Sequence, residues 1–281
     1  MFLARLTLLA KTLLISLELG EQIRVGPDEE LGRCRRTERL GEFPNVINEL
    51  GLRDPPISLP IGNILEGQAE LRTESSTTEV NKDHFLLLPN GVNSKITSTD
   101  GAVVFRAIVP GASRFDPSWG ETASALRCVD WTNEPVLNSE FDARKRIYML
   151  TPKLSGTKVA KGEMIIYPPE TMASNHHHEG AEHFQVILKG SATFHLNEQP
   201  HKVKSGDTIY IYDNERHFII NDSDNELAFI EYFVPGTYKT VWAENAPICT
   251  WNPSGVNIKG GKPNREIGSH SSAEAHNRQD L

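Results

Sequence analysis

From about Ile57 to about Gly255 the chain alternates apolar and polar positions at period two, in short runs broken by Gly, Pro, Asn and Asp. Successive side chains of a strand point to opposite faces, so this pattern predicts half-buried antiparallel strands in a sandwich or barrel. One stretch departs from it. Asn138 to Ile147, "NSEFDARKRI", places charges at helical spacing behind a capping Asn138 or Ser139 and is expected to form a helix. The first twenty residues are apolar but carry Arg5 and Lys11, which predicts an amphipathic helix packed on the fold. Lys11 and the lack of a small-residue cleavage site make them a poor secretory signal, and the charges disfavour a membrane span. The chain is therefore expected in the cytoplasm, with an organelle presequence or a misassigned start as the competing readings. From Gly255 the sequence turns polar and Gly/Ser-rich, and this tail, with His270 and His276, is expected to lie over the surface or stay disordered.

The pattern also repeats. Ile64 to Ile96 lines up without gaps on Ile187 to Ile219, sharing ILxG, the alanines Ala69 and Ala192, and the valines Val80 and Val203. After a two-residue length difference both copies close on "VPG", at Val109 to Gly111 and Val234 to Gly236. Gly67 and Gly190 sit where a strand must turn into its partner. The chain thus reads as two copies of one β unit with a boundary in residues 112 to 145.

Composition narrows the classes. A chain of 281 residues with 38% hydrophobic content can build real cores, and with a formal charge of −8 and no basic block nothing suggests a nucleic-acid surface. A small-molecule substrate is expected, with no nucleic-acid or membrane partner. Cys34, Cys128 and Cys249 are far apart and form no CxxC pair, which argues against a disulfide framework or a zinc knuckle.

Four histidines and two glutamates crowd into "HHHEGAEH", residues 176 to 183. On a strand His176 and His178 share one face while His177 points away, so the first two suit a metal inside a barrel. His217, at the start of the apolar run "HFII", offers a further imidazole from elsewhere in the chain. His84, His195 and His201 fit no such pattern and read as surface or strand residues. Tyr210, Tyr212, Glu231 and Tyr232 could line the cavity but read equally as packing residues and are left out of the site, whereas Gln185 shares the inward face by parity.

With the repeat, these residues resemble the cupin superfamily. Its first motif, H-x-H followed at fixed spacing by an acid or histidine and a glycine, is met by His176, His178 and Gly190. Its second is met in spacing by Gly206, His217 and Asn221, with Tyr212 and Asn214 replacing the usual Pro and Gly. For the third ligand, counting forward from His178 selects Glu182, and counting back from Gly190 selects His183. Strand parity sides with His183, placing His183, Gln185 and Ile187 inward, whereas Glu182 requires a bulge before Gly190. The adopted set is His176, His178, His183 and His217, with Glu182 as acid/base; Glu182 as ligand remains the alternative. In the first copy Ser94 stands where His217 stands, and Arg53, Pro55 and Pro60 stand opposite the other three. That copy is expected to be metal-free.

The resemblance implies an all-β fold of two tandem cupin jelly-roll barrels with few short helices. Residues 1–50 would be an N-terminal extension, 51–125 a degenerate barrel, 126–254 the metal-binding barrel and 255–281 a polar tail. It implies one divalent transition metal, Fe(II) by preference, with Mn(II), Zn(II) or Ni(II) as alternatives. The activity implied first is a non-heme Fe(II) dioxygenase. A redox-neutral isomerase, lyase or aminohydrolase comes second, in a layout similar to ureidoglycine aminohydrolases, and a non-catalytic ligand binder third. A homodimer through barrel edges is a further expectation.

Overall fold

The computed structural model describes residues 59–87, 94–98, 102–109, 111–119, 127–268 and 270, with short paired strands at Leu8–Leu9, Leu14–Ile15, Arg33–Cys34 and Leu50–Gly51. It is built almost wholly of antiparallel strands. Contacts divide the chain into two units: Met1–Arg24, Thr37–Trp131 and Ser155–Val159 make the first, and Val25–Arg36, Thr132–Leu154 and Ala160–Leu281 the second.

In the first unit the long strand Leu59–Thr73 pairs with Ala102–Val109 and His84–Leu87 along its first half, and with Thr77–Asn81 and Ser94–Thr97 along its second. Ile64, Leu71, Val80, Leu86 and Ile96 form its core. The second unit repeats this layout. Glu182–Lys189 pairs with Leu227–Val234 and Thr208–Ile211, and Ser191–Leu196 pairs with Gln199–Lys204 and His217–Ile220. Even the irregularities correspond: the ladder slips between Ile64 and Glu66 in one copy and between Ile187 and Lys189 in the other. Gly67 and Gly190 take φ 78° and 80° at the equivalent turns. A Cβ on Gly190 would lie 2.5 Å from the Glu226 carbonyl oxygen, so both backbone conformation and space require glycine there.

The second unit consists of two sheets. One runs Trp251–Pro253, Leu137–Ser139, Lys145–Leu150, Lys161–Tyr167, Leu227–Val234, Glu182–Lys189, Thr208–Ile211; the other runs Gln199–Lys204, Ser191–Leu196, His217–Ile220, His176–Glu179, Lys239–Trp242. Their inner faces meet in a core that includes Ile165, Ile187, Phe194, Ile211, Ile219 and Phe229, as the period-two pattern requires.

Two expectations change. Asn138 to Ile147 is not a helix: Leu137–Ser139 and Lys145–Leu150 pair as strands around a turn in which Phe141 is 61% exposed. Cross-strand burial of Leu137, Arg144 and Ile147 outweighs the local helical charge pattern. The start of the polar tail is anchored, because Ile267 packs with Leu137, Tyr148 and Trp251, and the His270 ring bonds the Tyr148 hydroxyl at 2.8 Å. Arg265 and Asn264 both bond the buried carboxylate of Glu134. The N-terminal helix falls on residues outside the described set, except that Leu8–Leu9 and Leu14–Ile15 pair as strands. Arg53 and Pro55 also lie outside it, as do His276 and the side chain of Pro60. Among the described residues no helix is long and apolar enough to cross a membrane.

Candidate metal centre

His176 and His217 are direct partners in the antiparallel ladder, and His178 follows His176 on the same face. One ring nitrogen from each of these three lies within 4.8 Å of the others. The Nδ1–H of His176 donates to the Ser174 carbonyl at 2.7 Å, and that of His217 to the Glu215 carbonyl at 2.8 Å. A carbonyl only accepts, so these contacts fix the tautomer and leave Nε2 with its lone pair. His178 Nδ1 meets the Thr240 hydroxyl at 3.2 Å. The Nε2 atoms of His178 and His217 are buried and make no hydrogen bond among the described residues. Burial holds all three imidazoles neutral, with His217 lowered to about 4 and His176 and His178 well below 6.5, helped by mutual repulsion between the rings. Neutral nitrogens without hydrogen-bond partners, oriented by carbonyls behind them, fit a divalent transition metal.

His183 comes from the facing sheet. Its ring lies 4.9 Å from that of His178 and 4.6 Å from that of His217, centre to centre, yet its nitrogens fall outside the group of three. It is fully buried, and its Nε2 stands 3.3 Å from the Glu231 carboxylate. Because burial also lowers the His183 pKa well below 6.5, this is a neutral imidazole beside a carboxyl group, not an ion pair.

Glu182 is placed on the opposite face. Strand alternation sends it outward with Phe184, where its carboxylate accepts a hydrogen bond from the Tyr210 hydroxyl. The geometry thus departs from the acid/base role read for Glu182 and equally from its alternative role as ligand. Over Glu182–Ile187 the strand places His183 and Gln185 on the cavity side, as parity requires, although the ladder slips between Ile187 and Lys189 before Gly190. Accordingly, Glu182→Gln is expected to bind metal within about 2-fold of the parent protein, whereas His183→Gln, which alters a group against the triad, should weaken binding about 10-fold to 100-fold. Metal titration of both variants checks the contrast.

The cavity beside the triad holds groups that the motifs did not indicate. Its walls include Arg144, Arg146, Lys161, Gln185 and Glu231, and its empty volume, counted with open solvent at the mouth, is ≈ 720 Å³. Glu163, Glu231 and Gln185 lie side by side on three neighbouring strands of one sheet. Gln185 Nε2 donates to Glu231 Oε1 at 3.0 Å, while Arg146 Nε and Lys161 Nζ each stand 3.5 Å from Glu163 Oε2. Burial, reinforced by the Glu163 charge, raises Glu231 to about 7. Arg144 is held by Asp142 through its Nε at 2.6 Å and by the Tyr167 hydroxyl at 3.2 Å. Strand parity was the available signal for Glu231, which alternates with Phe229 and Phe233 in "AFIEYFV". Arg144 and Arg146 were hidden by the helical reading of their segment. Tyr210 and Tyr232 face away from the cavity with Phe184, and Tyr212 is 55% exposed.

Ser94, the first-copy counterpart of His217, is buried at the start of its own strand.

Comparison with known proteins agrees with this architecture. Residues 163–233 match the cupin domain family. A stretch of 67 residues is 31% identical to an oxalate-binding protein of Thermotoga maritima, covering 24% of this chain and 55% of the relative, so the chain spans about half the length of that protein. Oxalate decarboxylase of Bacillus subtilis, in a structure used to study its Mn(II) centres, superposes with a TM-score of 0.52 at 14% identity, covering 66% of each chain. A putative glyoxylate-induced protein from Pseudomonas aeruginosa superposes with a TM-score of 0.56 at 13% identity, over 70% of this chain and 75% of that one. At such identities the likeness is one of fold.

Proposed function

We propose that this chain, which belongs to the cupin superfamily, is a metal-dependent enzyme that acts on a small carboxylate by moving a proton without net redox change, as a decarboxylase, other lyase or isomerase does. The observation that carries this reading is one cavity shared by three neutral imidazoles, the cations of Arg144, Arg146 and Lys161, and the buried carboxyl of Glu231. A divalent ion held by His176, His178 and His217 would supply Lewis acidity toward a bound carboxylate or enolate oxygen. Arg146 lines the cavity with its Nε 3.5 Å from Glu163 Oε2, and its planar guanidinium suits a further carboxylate oxygen. Glu231, oriented by Gln185 Nε2, is placed to hold a proton on its carboxyl oxygen at neutral pH. Phe229, Phe233 and Trp251 keep the wall apolar and exclude water. The names of the relatives, an oxalate-binding protein and an oxalate decarboxylase, are compatible with such a substrate.

A second reading, an Fe(II) dioxygenase, is favoured by one specific feature. No carboxylate stands among the three grouped nitrogens, so their shell would be neutral, with room for substrate and oxygen. Anaerobic purification with metal identification, followed by assay of small carboxylates including oxalate, separates the readings. Product without stoichiometric O2 uptake supports the lyase or isomerase; iron with one O2 consumed per turnover supports the dioxygenase. Binding without turnover would reduce the protein to a ligand-binding cupin. Within the proposed reading, Arg146→Lys keeps a charge beside Glu163 but loses the planar fork. It is expected to raise KM about 10-fold with a smaller change in kcat, since a hydrogen bond to a charged group contributes about 1.5–3 kcal/mol. Steady-state kinetics checks that split.

A further inference from the structure

We infer that the substrate carries, besides its carboxylate, a hydroxyl hydrogen that is read by the side-chain oxygen of Gln185: the site takes a small hydroxy acid. The inference rests on the reading of the cavity as a carboxylate-binding metal site and deepens it.

Gln185 is 4% exposed and lines the cavity. Its Nε2 donates to Glu231 Oε1 at 3.0 Å, so the oxygen that accepts is Oε1 and a proton held by Glu231 sits on Oε2. The Oε1 of Gln185 itself is left buried, with no hydrogen bond among the described residues. A buried acceptor in this state calls for a donor. No described group of the cavity wall bonds it in this arrangement; Arg146 Nε stands 3.5 Å from Glu163 Oε2 instead. The Nε2 of His217 is itself an acceptor, because its Nδ1 holds its proton against the Glu215 carbonyl, and the Nε2 of His178 makes no hydrogen bond to Gln185. Lys161 Nζ is committed to the Tyr238 hydroxyl at 2.9 Å and stands beside Glu163, and Arg144 is held by Asp142 and Tyr167.

The donor must therefore arrive with what fills the cavity. An ammonium group would supply one, but a cavity that already holds Arg144, Arg146 and Lys161 repels a further cation, more so with a divalent ion bound. A hydroxyl supplies the same hydrogen without charge. Sites built to bond a substrate hydroxyl discriminate strongly against analogues lacking it, because the site's own polar group then stays unpaired.

The test uses the full chain loaded with the metal it retains on purification, and calorimetric titration with lactate, propionate and alanine. Lactate should bind at least about 10-fold tighter than propionate, and alanine no tighter than propionate. Hydroxy acids also chelate metals, so the deciding measurement is the lactate-to-propionate ratio in Gln185→Met, a variant of similar volume. That ratio should fall about 10-fold from the parent value. A ratio unchanged in Gln185→Met, or equal binding of lactate and propionate by the parent protein, overturns the inference and leaves the carboxylate reading standing. Tighter binding of alanine than of lactate also overturns it. Failure of both lactate and propionate to bind overturns the carboxylate reading itself, and this inference with it.

Discussion

The double variant His176→Ala/His217→Ala is expected to purify with background transition metal only, against about one ion per chain for the parent protein. These two residues face each other in register across neighbouring strands and supply two of the three grouped nitrogens. What remains, His178 with His183 outside the group, presents one correctly placed imidazole, and a single imidazole does not retain a divalent ion against water and buffer. Because His217 is 2% exposed, its truncation also leaves a void next to Phe194, so lower thermal stability should accompany the metal loss. The pair His176→Gln/His217→Gln, which keeps more side-chain volume, should lose the metal with a smaller stability change. Elemental analysis of both, alongside circular dichroism, is the check; full metal occupancy in either folded variant would refute the assignment.

The metal-free protein is expected to lose several kcal/mol of stability as pH falls from about 6.5 to about 4. The four clustered histidines are all held below their unfolded value of 6.5 by burial, His217 to about 4. In that window the unfolded chain binds protons that the folded chain refuses, so folding stability falls as pH falls. For His217 alone the gap corresponds to about 3 kcal/mol. Glu231 acts in the opposite direction: its raised pKa adds stability as pH falls from about 7 toward 4.5. Glu215, raised by burial, acts in the same direction as Glu231, so two carboxyl groups oppose four imidazoles and the net slope follows the histidines. Urea denaturation of metal-free protein at pH 7, 6, 5 and 4 measures it, and stability that is flat or rising toward pH 4 would refute the expected burial of neutral rings. Added metal should steepen the dependence, since protons and metal compete for the same nitrogens.

Which parts of this site were legible in the sequence follows from how each residue is specified. His176, His178 and His217 were legible because strand alternation and motif spacing are both one-dimensional. His183 was legible as an inward residue by parity, but its distance from the other three nitrogens depends on how two sheets face each other. Glu182 illustrates the converse. Its spacing from His178 suits a ligand, yet the strand beginning at Glu182 turns that side chain outward to Tyr210. Arg144 and Arg146 were misread because their charges fall at helical spacing, and only the pairing of their segment with Lys161–Tyr167 and Trp251–Pro253 makes it a strand pair buried from Ile147 to Leu150.

By itself the sequence determined the β architecture, its internal repeat, and the face on which the histidines lie, because side-chain direction along a strand is set by the covalent chain. The tertiary structure decided which charges share the cavity with those histidines. Arg146, Lys161, Gln185 and Glu231 come from four different strands, and only the hydrogen-bonded register of one sheet brings them together. A register is a property of pairs of strands, so no reading of one strand at a time contains it.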